Sequence, residues 1–60
     1  MKAFESKAKI DIPLKNVTVK EGDKVTITEI SNKYYLWHPD GIYLLDESYI
    51  TDDRKIISEE

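Results

Sequence analysis

The sequence predicts an all-β fold: a single small five-stranded barrel with short turns and one helical turn before its last strand. Three observations carry that expectation. Apolar residues recur with period two through most of the chain, tight-turn residues punctuate those runs, and no helical apolar stripe of useful length precedes residue 50. Short strands in this number suit a barrel, because closure removes edges that a flat sheet of this size would leave unpaired.

The first run alternates Ala8, Ile10, Ile12 and Leu14 with Lys7, Lys9, Asp11 and Pro13, as a half-buried strand should. Pro13 lacks the N–H that a ladder needs, which places this strand at an edge or already turning there. In the next run Val17 and Val19 face one way, Thr18 and Lys20 the other. Glu21-Gly22-Asp23 then supplies a turn in which glycine permits a positive φ. Val25 and Ile27 resume the alternation with Thr26 and Thr28 outward, and Ile30 breaks parity, marking a bulge or the strand's end near Glu29. Ser31-Asn32-Lys33 is a short polar connection. Tyr34 to Trp37 is the most β-prone run, His38-Pro39-Asp40-Gly41 is a tight turn, and Ile42 to Leu45 returns antiparallel. Asp46-Glu47-Ser48 makes the helical turn and Tyr49-Ile50 a final short strand. Residues 1–50 are thus the expected barrel. Residues 51–60 are a charged tail, frayed or docking through Ile56 and Ile57 on the barrel or on a second copy.

Sixty residues carry nine basic and twelve acidic side chains, one histidine and no cysteine, for a net charge of -3. A chain this short buries only about 60 % of the surface that unfolding would expose. The absence of cysteine excludes a disulfide framework and a thiolate zinc site. No apolar run approaches the roughly 20 residues of a membrane span, and no signal peptide opens the sequence, so the expectation is a cytoplasmic protein without a membrane role. Charge is uneven. Met1 to Lys33 holds seven lysines against five acids, +2, whereas Tyr34 to Glu60 holds Arg54 and Lys55 against seven acids, -5.

Little in the chain points to catalysis. His38 offers one nitrogen where a metal site needs three or four convergent ligands, so no metal or other cofactor is expected. No nucleophile–base set, phosphate loop or dinucleotide fingerprint is present, and the expectation is a protein that is not an enzyme. An alternative is single-stranded nucleic-acid binding, with Tyr34, Tyr35, Tyr43 and Trp37 as stacking rings and Lys7, Lys9, Lys24 and Lys33 beside them. The acidic balance opposes it. Protein binding remains as the leading reading. The candidate patch is Tyr34, Tyr49 and Leu36 rimmed by Asp46 and Glu47, facing a basic or mixed partner surface. Self-association as a homodimer through the Ile56-Ile57 tail is a further alternative.

From Ala8 to Ile50 the sequence resembles the SH3 domain. Ala8-Lys9-Ile10-Asp11-Ile12 sits at that family's Ala-Leu-Tyr-Asp-Tyr strand, and Val17-Thr18-Val19-Lys20-Glu21-Gly22-Asp23 resembles the stretch into its diverging turn. Tyr34-Tyr35 falls at the paired tryptophans, and Leu44-Leu45-Asp46-Glu47-Ser48-Tyr49-Ile50 at the closing strand, helical turn and Tyr-Val. The resemblance implies that Ala8, Val19, Val25, Ile27, Trp37, Leu45 and Ile50 fill the barrel. Ile10 and Ile12 stand where the family has groove tyrosines, Tyr34 replaces the first tryptophan, Asp46 replaces the proline before the helical turn, and the loop between Ile12 and Val17 is short. The resemblance therefore implies the fold rather than the family's proline-rich ligands. The lysine-rich opening, the Lys-x-Gly-Asp turn and the Tyr-Tyr-Leu strand are also similar to small SH3-like proteins of Gram-positive phages and prophages. That similarity implies a cytoplasmic binding protein acting on a host protein.

Overall fold

Phe4, Ser6 and Ala8 are all buried, so the alternation begins one strand earlier than the apolar residues advertise. Ser6 hides the pattern: its hydroxyl donates to the Thr51 carbonyl oxygen at 3.2 Å, which satisfies a polar group in a buried row. In the computed structural model, which describes residues 1–59, this segment is β1 (Lys2–Lys7). It is followed by β2 (Ile12–Pro13), β3 (Thr18–Val19), β4 (Lys24–Ile30), β5 (Lys33–His38), β6 (Gly41–Leu45), a 3₁₀ turn (Glu47–Tyr49) and β7 (Lys55–Glu59).

The fold is all-β. Its strands form a five-stranded antiparallel sheet in the order β6-β5-β4-β1-β7 and a separate two-stranded β2-β3 ladder. The expected closed barrel is corrected accordingly. Backbone pairing closes no ring among the described residues, and β6 and β7 are the two ends of an open sheet.

The expected first strand also changes. The chain bends after Ala8, which keeps only a single bridge to Ile50, and Ile10 turns outward. Ile12 re-enters the core opposite Val19, and Pro13 lies in a two-residue strand, where its missing N–H costs little. Gly22 takes φ +88 in the following turn, and its N–H donates to the Ala8 carbonyl at 2.8 Å. β4 keeps an unbroken register with both neighbours and ends at Ile30, without a bulge. Ser31 (φ 50) and Asn32 (φ 65) then form a two-residue hairpin connection of the type that needs two positive φ values.

Phe4, Ala8, Ile12, Val19, Val25, Ile27, Leu36, Leu45 and Ile50 form one core cluster, to which both the five-stranded sheet and the β2-β3 ladder contribute. Two expectations fail here, both in β5. Trp37, expected inside, is 51 % exposed, and Leu36, expected at a binding surface, is 1 % exposed. Leu36 lies opposite Ile27 and Tyr43 on the inner row, whereas Trp37 lies opposite Thr26 and Ile42 on the outer one. A one-position shift of face exchanges the two roles.

The tail is ordered into β7 through backbone pairing with β1 (Lys2↔Glu59, Ala3↔Ser58, Phe4↔Ile56, Glu5↔Lys55), with a register shift at Ala3/Phe4. Ile56 and Ile57 themselves stay exposed.

Candidate protein-interaction surface

Two neighbouring regions emerge where a single patch is expected. The first joins Tyr34, Asp46 and Glu47. Asp46 caps the 3₁₀ turn, its carboxylate accepting from both the N–H and the hydroxyl of Ser48. Those bonds hold the Asp46 carboxyl below the usual carboxylate range. Glu47 follows and accepts from the Arg54 guanidinium at 3.0 Å and from the Tyr34 hydroxyl at 3.1 Å. Arg54, then Tyr34, lower the Glu47 carboxyl as well. Arg54 also packs over Phe4, 5.1 Å from the ring centroid, and over Tyr34 at 5.5 Å, while the two rings meet edge to face at 6.3 Å. Burial opposes the charge on Arg54, but its hydrogen bond to Glu47 and the neighbouring Tyr34 outweigh it and raise its pKa.

This arrangement does structural work: it ties the 3₁₀ turn and the lead-in to β7 onto the rim of the core. Tyr34 is half-buried in it, with its hydroxyl engaged. A shallow depression of about 410 Å³ beside the cluster is lined in part by Tyr34, Leu44, Asp46 and Glu47. Of the remaining predicted patch residues, Leu36 belongs to the core and Tyr49 sits in the 3₁₀ turn, 38 % exposed. Leu36 therefore drops out of the expected surface, whereas Tyr49 shares the 3₁₀ turn with Glu47.

The second region is the outer face of the sheet. Directly opposite residues of an antiparallel pair share a face, so register alone reads it. From β6 to β7 one row runs Ile42, Trp37, Thr26, Glu5, Lys55, and the next Leu44, Tyr35, Thr28, Ala3, Ser58. The β1 and β7 end is polar or small. At the β5 and β6 end Ile42 is 55 % exposed and Leu44 68 %, beside Trp37 and a half-buried Tyr35. These four large side chains at one end of the outer face form an apolar patch, of the kind that marks interaction sites when it is extensive. Period-two reading misses it because Tyr34 to Trp37 and Ile42 to Leu45 are apolar at every position.

The turn joining these strands is tightly bonded. Asp40 donates its N–H to His38 Nδ1 at 3.1 Å, and its carboxylate accepts from the Tyr43 hydroxyl at 2.6 Å and from Asn16 Nδ2 at 2.9 Å. Tyr43 and Asn16 lower the Asp40 carboxyl, and the same bond to Asp40 raises the Tyr43 phenol. His38 thus serves as an acceptor within its own turn. Among the described residues no three His, Cys, Asp or Glu side chains converge in a metal-holding group, and no helix is long and apolar enough to cross a membrane.

Comparison with protein-family models, with curated proteins and with solved structures gave no match to this chain.

Proposed function

We propose that this chain is a non-enzymatic protein-binding or regulatory module with an SH3-like arrangement of strands, and that Trp37, Ile42, Leu44 and Tyr35 are its contact surface. The observation that carries the reading is the exposed apolar patch on β5 and β6. Tryptophan and tyrosine beside aliphatic neighbours, with a polar surround, is the composition of an interface centre. The order of elements supports the SH3-like reading: a short hairpin, a three-strand meander, a 3₁₀ turn, and Ile50 returning to Ala8. A cytoplasmic role on a host protein, in a phage or prophage setting, rests on the sequence resemblance alone.

The nucleic-acid alternative is less favoured. The hydroxyls of Tyr34 and Tyr43 are each bonded to a carboxylate, which sets negative charge beside two of the four candidate rings.

Immobilised protein and its Trp37→Ser/Leu44→Ser variant, incubated with the same host lysate, test this. The reading expects one protein retained in near-stoichiometric amount by the parent and lost by the variant, with the unfolding midpoint shifted by no more than a few degrees. Equal retention by both, or retention of nucleic acid in place of protein, overturns it.

A further inference from the structure

The two edges of the sheet are built differently. β7 carries Lys55 and Glu59 and a register shift against β1, devices that discourage another strand from pairing there. β6, Gly41-Ile42-Tyr43-Leu44-Leu45, has none: no charge, no proline, and a regular register with β5 along its whole length. β5 is its one extensive neighbour among the described elements. Alternate backbone N–H and C=O groups of β6 therefore face outward, unpaired, next to the patch formed by Trp37, Ile42 and Leu44.

Charge distinguishes the possible occupants. β6 lies between Asp40 and Asp46, with Glu47 one residue further on. A second copy pairing antiparallel along the full strand centres on Tyr43 and sets Asp40 opposite Asp46 at both ends. Like charges directly opposed disfavour that pairing. A strand with basic residues at those two positions meets opposite charge instead.

Resting on the protein-binding reading above, we infer that β6 is a strand-addition edge for an extended peptide segment of a partner protein. The segment is apolar at alternate positions and flanked by lysine or arginine. Its main chain extends the sheet, its apolar residues continue the row of Ile42 and Leu44, and its basic ends face Asp46 and Asp40.

The test uses the full chain and capped synthetic peptides. Lys-Thr-Val-Thr-Val-Thr-Lys places a basic residue opposite each aspartate, and Glu-Thr-Val-Thr-Val-Thr-Glu is its charge-reversed control. Two further forms of the basic peptide carry N-methyl groups on one or the other set of alternate residues. The inference expects the basic peptide to bind at least tenfold tighter than the acidic one and to weaken with added salt. It also expects shifts in the amide resonances of Gly41 to Leu45, and loss of binding in one N-methylated form but not the other. Binding at the Trp37 face with both N-methylated forms tolerated overturns strand addition while leaving the protein-binding reading intact. Failure of every peptide overturns the inference, and so does self-association of the free chain through β6, measured by analytical ultracentrifugation with amide protection, which would identify a second copy as the occupant.

Discussion

Trp37 and Ile42 stand directly opposite each other on the outer face of β5 and β6, and each keeps about half of its surface in water. One residue away on β5, Leu36 is sealed between Ile27 and Tyr43. Adjacent side chains of similar hydrophobicity thus carry different consequences. Leu36→Ala deletes fully buried methyl groups and costs about 2–5 kcal/mol. A 60-residue domain has roughly 3–9 kcal/mol in total, so this variant is expected to lose a large share of the domain's stability. Trp37→Ser loses only a cross-strand contact, about 1 kcal/mol or less. Urea denaturation followed by circular dichroism separates the two; equal losses would contradict the placement of these side chains.

Arg54 joins the tail to the core rim, so its replacement reports on β7. Arg54→Ala removes two ring contacts and is expected to cost about 1–2 kcal/mol. Arg54→Lys should recover little, because an ammonium does not reproduce a planar guanidinium over two rings while donating to Glu47. A chain ending at Thr51 also loses the pairing of β7 with β1 and should be less stable still. A truncated chain with an unchanged midpoint would show that β7 contributes nothing to the fold.

Acid should destabilise the protein through Asp40, Asp46 and Glu47. Their carboxyl pKa values are lowered in the folded chain from ordinary values of 3.8, 3.8 and 4.5. Their contribution is fully present above those values and is lost as pH falls through the lower folded ones. Tyr43 has the opposite sign. Its pKa is raised above 10.0, so its contribution is present below that value and is lost as pH rises through the folded one. Unfolding midpoints measured across pH should fall at both ends. In Tyr43→Phe the alkaline fall attributable to this phenol should vanish and the acid fall shrink, since the bond that lowers Asp40 most is gone.

The β4–β5 connection places two non-glycine residues at positive φ. Asn32→Gly relieves the second and matches the preference of this turn for glycine at that position. It is expected to stabilise the protein by roughly 0.5–1 kcal/mol. A thermal melt checks this, and a loss of stability would argue against the positive-φ connection.

Turn residues were legible because their signals are local. Gly22 and the turn after His38 lie where the sequence places them, the connection expected over Ser31-Asn32-Lys33 shortens to Ser31-Asn32 because Lys33 opens β5, and Val25 and Ile27 point inward. The candidate surface was not legible in the same way. Burial of alternate residues is readable when one face is polar, as in Val25-Thr26-Ile27. In Tyr34-Tyr35-Leu36-Trp37 both faces are apolar, and the letters alone leave open which row turns inward.

The sequence by itself determined that the domain is β-built, small, acidic in its second half and without cysteine. These properties follow from composition, period and local turn chemistry. Tertiary pairing alone decided that β1 precedes Ala8, that Arg54 stacks on Phe4 and Tyr34, that Leu36 rather than Trp37 lies inside, and that β6 is left as a regular open edge. The physical reason is the same in each case. Register is a relation between strands distant in sequence, and a shift of one residue exchanges core and surface without changing a single letter.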